Sequence, residues 1–495
     1  MLTLVQQIQA FLNPFSCPFI VNTPIRSNVG TKSLRKLPDL PVEVWLEIFQ
    51  FATYVHRNVT IKPLDPFTPK RTTTNALGAN TPLSAMRTKL SLVLVSKSWR
   101  NVAQQMLYEH IAIRSPPRAN IILNALKRSR TPKDSENQKT NPNLGYGQFV
   151  RHIEVYTFAR GSGEISYLQT VFKILNYCPN LRTLSGNWRH YLPPEFLDAI
   201  AKLLGPSVSE FYWNERDMSP GMKNNTSTAP TFVGSFKALR VLDLRHFVGS
   251  DPLSWTQSSS RPVLPHVQDL ILSTYSSSLD IAAHLSLPCL RNLFLRTPVW
   301  GEKHEPSLQV FLKVHGPSLV VVDLTTPSQD TEPIPDSSVP GRAASHIPPD
   351  IFLSPGICPN LETLVFPVTS PIIAPHMHHH LRRIGLRGGN TEGLYPDKVT
   401  PMRNHLMSIN IEKYPKLELI QTVGFLVDAH TDSLIKDIFI WWVERFEAMG
   451  VDFLDGEGVL WAYTDPLPEE LPYPKTPLDA VKSHSDISDD RVGKD

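Results

Sequence analysis

The chain has 495 residues, 41% of them apolar, and a formal charge of +3 from 49 basic and 46 acidic side chains. That composition supports a packed core, and basic residues spread along the chain without clustering argue against a nucleic-acid partner. The densest apolar stretch beyond the first twenty residues, Ile438 to Val443, is far too short to cross a bilayer, so no membrane partner is expected.

In chain order, residues 1–36 read as a poorly ordered leader. Its first twenty residues are apolar but contain no basic residue, and Gln6, Gln7 and Gln9 interrupt the run, so a secretory signal is not expected. Within 37–55 a helix is predicted: Glu43, Glu47 and Gln50 line one stripe, while Val44, Trp45, Ile48, Phe49, Phe51 and Ala52 cover the rest. So broad an apolar surface needs partners on more than one side. A polar, Pro- and Thr-rich insertion follows at 56–88. Helical pattern resumes at 89, and Ser96 or Ser98 is placed to cap a second helix presenting Trp99, Val102, Ala103, Met106 and Leu107. The chain leaves this module through Tyr108, Ile111 and Ile113.

From there one pattern, LxxLxL, recurs. It reads Leu181/Leu184, Leu239/Leu242/Leu244, Val267/Leu270/Leu272, Leu290/Leu293/Leu295, Leu319/Val322/Leu324, Leu361/Leu364/Phe366 and Leu381/Ile384/Leu386, with looser copies at Val150/Ile153/Val155, Val208/Phe211/Trp213 and Leu417/Ile420. In extended backbone the last two apolar positions share a face, so each copy is one short strand. Tyr108, Ile111 and Ile113 echo the same spacing. Successive copies start 31, 27, 31, 28, 23, 29, 42, 20 and 36 residues apart, close to the roughly 20 to 29 of leucine-rich repeats, with loop insertions. Helical segments lie between copies at Tyr167 to Tyr177, Glu195 to Leu204, Ser307 to Val314 and Met402 to Tyr414. The fold class is therefore α/β: an irregular leucine-rich-repeat solenoid over 114–464, preceded by a small all-α module over 37–113. The 45 prolines, against 24 glycines, suit a chain that turns twice per unit. Polar interruptions at 130–146, 217–231, 250–262 and 326–350 read as rim loops, where solenoids commonly bind. A helix from Ser433 to Met449 closed by Gly450, then an edge strand at Val459 to Tyr463, are expected to cap the stack. The tail, 465–495, reads as disordered.

The first module resembles an F-box, on the residues LPVEVWLEIF (Leu40 to Phe49) and LSLVLVSKSWRNVAQQMLYEHI (Leu90 to Ile111). The whole chain is similar to fungal F-box proteins with degenerate leucine-rich repeats. The resemblance implies docking on the Skp adaptor, and through it a cullin, of an SCF-type ubiquitin ligase, with a protein substrate held by the repeats. Carried over residue by residue, it places Leu40, Pro41, Val44, Ile48, Val95 and Trp99 at or behind the adaptor-facing surface. The insertion at 56–88 is a departure from the family pattern. From the residues themselves, Trp, aliphatics and a rigid Pro make a dense apolar patch of hot-spot character.

No chemistry of the chain's own stands out. HExxH, GxSxG, GxxxxGK[ST] and GxGxxG are absent, and no enzyme activity, cofactor or metal is expected. The four cysteines, Cys17, Cys178, Cys289 and Cys358, form no CxxC pair and read as small turn-packing residues in a reducing compartment, cytoplasmic or nuclear. His376 and His378 are two apart and could share an ion, but with no Cys or acidic residue nearby the run through His380 reads as a solvated turn. Trp188, Tyr191, Tyr212 and Trp213, near repeat turns, are the candidate substrate anchors, with core filling the competing role for Trp213. Two other readings stay open: a repeat scaffold whose N-terminal helices merely cap the solenoid, and a hydrolase built from loop residues.

Overall fold

The computed structural model describes residues 40–53, 65–68, 81–130, 145–190, 192–215, 230–247, 261–273, 276–296, 305–325, 346–374, 376–427 and 433–462. The expected leader and tail, all but the ends of the four rim loops, and most of the insertion lie outside these residues. The chain divides into two compact units, Met1–Glu47 and Ile48–Asp495.

In the first unit, Leu40 and Pro41 lead into helix α1 (Val42–Thr53), whose first turn carries Glu43 at the positive end of the helix dipole. The Trp45 amide donates to the Pro41 carbonyl at 3.1 Å, closing that turn.

The second unit takes up the end of α1 and continues with α2 (Pro82–Val95) and α3 (Lys97–Tyr108). Helix α2 begins inside the stretch expected to be a surface insertion. Thr81 and Pro82, which resemble loop chemistry there, form an N-cap and a first-turn proline: the Ser84 amide donates to Thr81 Oγ1 at 3.1 Å. Ser96 caps α3 as expected, accepting from the Trp99 amide at 3.1 Å. The two helices pack on each other, and Lys89 Nζ donates to the Met106 carbonyl at 3.2 Å.

Beyond Tyr108 the strands follow one another with helices between most of them. The order is β1 (His110–Ile113), α4 (Pro116–Ser129), β2 (His152–Tyr156), α5 (Ile165–Asn176), β3 (Thr183–Asn187), α6 (Pro194–Leu204), β4 (Glu210–Asn214), α7 (Pro230–Gly234), β5 (Val241–Asp243) and β6 (Asp269–Leu272). It continues α8 (Ser276–His284), β7 (Asn292–Arg296), α9 (Glu305–His315), β8 (Val321–Thr325), α10 (Asp350–Leu353), β9 (Thr363–Pro367) and β10 (Arg383–Arg387). It ends α11 (Thr391–Leu394), α12 (Pro401–Ser408), β11 (Leu419–Val423), α13 (Ser433–Glu447) and β12 (Asp452–Leu454).

The twelve strands of the described residues form one parallel sheet in strict sequence order, each paired there with its chain neighbours. The unit is thus an α/β solenoid-like stack. Its register aligns the central apolar position of every copy into one lateral row: Ile111, Ile153, Leu184, Phe211, Leu242, Leu270, Leu293, Val322, Leu364, Ile384, Ile420 and Phe453. Every member is buried, in a continuous core shared with the helices. At the strand entrances, the carbonyls of Glu109, Arg151, Arg182, Ser209, Arg240, Gln268, Arg291, Val320, Glu362 and Arg382 each accept two successive amides of the following unit, at 2.7–3.1 Å.

The repeated Cys-Pro-Asn tripeptides have one job in both places. Asn180 Nδ2 donates to the Gln148 carbonyl at 2.9 Å, and Asn360 Nδ2 to the Pro317 carbonyl at 2.8 Å, tying each unit to the one before. Cys178 and Cys358 are buried beneath these turns, and burial pushes each thiol up to about 12, which keeps it protonated and inert. Cys289 is exposed.

Two boundaries differ from expectation. Helix α12 stops at Ser408 instead of Tyr414, because Ile409 leaves in extended backbone to bury its side chain. The closing strand is β12; of the expected strand at Val459 to Tyr463, residues 459–462 are not a strand and Tyr463 lies outside the described residues. Gly450, at φ 72°, turns α13 directly into Val451 and Phe453, which alternate into the core. Residues 457–461 instead wrap Asp455, whose carboxylate accepts the Glu457 and Val459 amides and the Trp461 indole N–H, each at 2.9 Å.

Candidate functional site

The six residues picked out for adaptor docking fall in both units. In the first, Leu40, Pro41 and Val44 are exposed. In the second, Ile48 and Val95 are exposed, and so are Phe51, Leu94 and Leu83, with Phe51 reaching 81%. Trp99 is only half-exposed, because its ring lies 4.9 Å from that of Phe49, which is fully buried. Helix α1 therefore turns Phe49 and Thr53 inward and leaves Ile48 and Phe51 outward.

The expected substrate anchors are redistributed. Trp188 and Trp213 are core residues, 1% and 0% exposed, with ring centroids 4.9 Å apart. Gly186 explains Trp188: a Cβ on Gly186 would meet the Trp188 indole at 2.3 Å, so the ring folds back into the space that glycine leaves in β3. Trp213 alternates inward with Phe211, and its indole donates to Glu215 Oε1 at 2.9 Å, which satisfies its polar atom inside the protein. Tyr191 lies outside the described residues. Tyr212 stands on the sheet face opposite the helices, in a small apolar cluster with Val241, Ile271 and Phe294.

That face carries the polar groups of the strands. Beside Tyr212, Arg245 pairs with Asp243 at 2.8 Å and stands 5.9 Å over the tyrosine ring. Further along, Arg387 of β10 reaches across β9 to Asp323 of β8 at 2.8 Å, with both side chains 2% exposed. Gly385 holds β10 close to its neighbour on this path, since a Cβ there would meet Val365 Cγ2 at 2.8 Å. Arg383 stacks on Phe67, 5.2 Å from its ring centroid, so one turn of the N-terminal insertion touches β10.

At the other end, His110, His152 and Glu154 gather on the same face. Parallel register sets His110 of β1 opposite His152 of β2 and Ala112 opposite Glu154. The His110 and His152 Nε2 atoms lie 3.0 and 3.9 Å from Glu154 Oε1, the imidazole centroids are 4.5 Å apart, and the Tyr156 hydroxyl donates to Glu154 Oε2 at 3.0 Å. Burial works against ionisation of Glu154, but the His110 hydrogen bond, the charges of both imidazoles and the tyrosine hydroxyl outweigh it and hold the carboxyl at about 2. A signal for this cluster was present in the sequence: both histidines stand one residue before the central apolar position of a repeat strand, and Glu154 stands two after His152.

The histidine run departs from expectation at one residue. His376, His379 and His380 are exposed, but His378 is buried and its Nε2 lies 2.9 Å from the Cys358 carbonyl, so it faces the interior and not solvent. Among the described residues no helix is long and apolar enough to cross a membrane.

No family model matches the chain, and no curated protein matches it. Among solved structures it is similar to a chain of the Rad7 and Elc1 complex of yeast, at 11% identity and a TM-score of 0.26, over 68% of this chain and 89% of that one. A likeness at that level carries no argument about function.

Proposed function

We propose that this chain is a non-catalytic substrate-recognition subunit of an SCF-type cullin-RING ubiquitin ligase, acting in the cytoplasm or nucleus. An F-box formed by α1 to α3 docks on the Skp adaptor, and leucine-rich repeats hold a protein substrate. The reading joins the F-box resemblance of residues 40–49 and 90–111 to one observation: Ile48, Phe51, Leu94 and Val95 are 42%, 81%, 60% and 59% exposed. Large apolar side chains left open on short helices are the material of an interface core. The chain supplies no reacting group. It raises the effective concentration of substrate near a ubiquitin-charged enzyme, making a chance encounter effectively intramolecular. With Trp188 and Trp213 in the core, and Tyr212 only 7% exposed among the buried side chains of Val241, Ile271 and Phe294, none of the three described candidates offers substrate an open aromatic ring.

The rival is a repeat scaffold whose first helices only cap the stack, and the packing of Trp99 on Phe49 favours it. Ile48→Asp combined with Val95→Asp separates the two, because both side chains are exposed and their loss leaves the fold standing. On the ligase reading, affinity purification from cells recovers the Skp adaptor with the wild-type chain and loses it with the variant. Equal recovery sinks that reading and leaves the scaffold.

A further inference from the structure

We infer that His110, His152 and Glu154 form a binding site for a divalent cation of the zinc type, which clamps the first two strands of the sheet. Three features carry this, none of them dependent on the ligase reading.

The donors are right in kind and number. Two imidazole nitrogens and one carboxylate oxygen make a three-ligand set with a fourth position left for water, a pattern suited to Zn²⁺. Their spacing is also right. Ligands 2.0–2.1 Å from a tetrahedral ion stand about 3.3 Å from one another, and here the donor atoms lie within 4.8 Å of one another, with the two histidines 3.0 and 3.9 Å from the shared oxygen. Small rotations of side chains that are 16–22% exposed bring all three to one centre.

The site is also held in place. The two strands are paired, so the histidine backbones cannot part, and Ala112 leaves room opposite Glu154. The Tyr156 hydroxyl takes the second carboxylate oxygen, the outer support that fixes a ligating carboxylate. An internal ion pair alone needs only one histidine. Aiming two imidazoles at a single carboxylate oxygen is the arrangement a cation completes.

The test must remove the clustered exposed histidines at 376–380, which bind metals loosely. In the full chain carrying His376→Ala, His379→Ala and His380→Ala, Co²⁺ is added and visible absorption followed, then Zn²⁺ is used to displace it. The expected result is one equivalent of Co²⁺ with the intense visible bands of a four-coordinate site, bleached by Zn²⁺. Glu154→Gln keeps the shape of the cluster and is expected to weaken Co²⁺ binding at least tenfold; His152→Ala is expected to abolish the bands. Circular dichroism confirms that each variant is folded, and Zn²⁺ is expected to raise the melting temperature of the parent and not of His152→Ala. Absence of the bands in the folded parent, or identical bands in Glu154→Gln and His152→Ala, overturns the proposal.

Discussion

The N-terminal helices and the strand stack use the same aliphatic and aromatic residues to opposite ends. In the stack, the central row from Ile111 to Phe453 is fully enclosed, because each unit's apolar face meets the next unit's. In α1 and α2, Ile48, Phe51, Leu94 and Val95 meet solvent. The difference teaches that hydrophobicity alone does not assign a residue to the core. What assigns it is a neighbour within the chain, and the stack supplies one at every position of the central row.

The largest effect that sharpens this contrast is expected at the buried ion pair on the sheet face opposite the helices. Asp323→Ala leaves Arg387 buried without its partner and is expected to cost about 3–5 kcal/mol, read as a lower midpoint in urea unfolding. Leu364→Ala, in the central row, is expected to cost about 2–5 kcal/mol by the same measurement, since its neighbours on both sides stay in place and a cavity remains.

Acid should erode the stack as well. Burial holds His315, His378 and His405 below the ordinary imidazole value of 6.5, and each has Nε2 on a backbone carbonyl, at 3.1, 2.9 and 3.0 Å. The unfolded chain takes up these protons near 6.5 while the folded chain resists, so their contribution to stability is whole above that pH and is lost as pH falls through the folded values. Thermal melts between pH 7.5 and 5 should show a falling midpoint, and His405→Gln should flatten the slope.

Smaller still, Ser96→Ala removes the cap of α3 and is expected to cost about 1 kcal/mol. The smallest effect belongs to the other side of the comparison: Val95→Asp is expected to move stability by no more than about 0.5 kcal/mol. If it unfolds the protein, Val95 belongs to the core and the contrast drawn between helices and stack is broken.

The strands from β2 to β11 were legible because alternation is a local property: Leu293 and Leu295 announce their shared face without reference to any other unit. The same locality explains the misses. Val459 to Val451 is a choice of which apolar pair reaches the sheet first, decided by the turn at Gly450. Trp188 looked like a surface aromatic until Gly186 supplied the hollow that takes it. The His110, His152 and Glu154 cluster joins residues 42 positions apart, and only the register of β1 on β2 brings them together. Site residues therefore needed the register, whereas core residues needed only the period.

Strict neighbour-to-neighbour pairing has a consequence for how such a molecule changes length. Among the described residues no strand closes back on a distant one, so the sheet they form has two ends and no keystone. Gaining or losing one whole turn of the coil shifts everything downstream sideways by about 4.8 Å and leaves each remaining junction as it was, so the reach of the open face can be reset without redesigning any part of it.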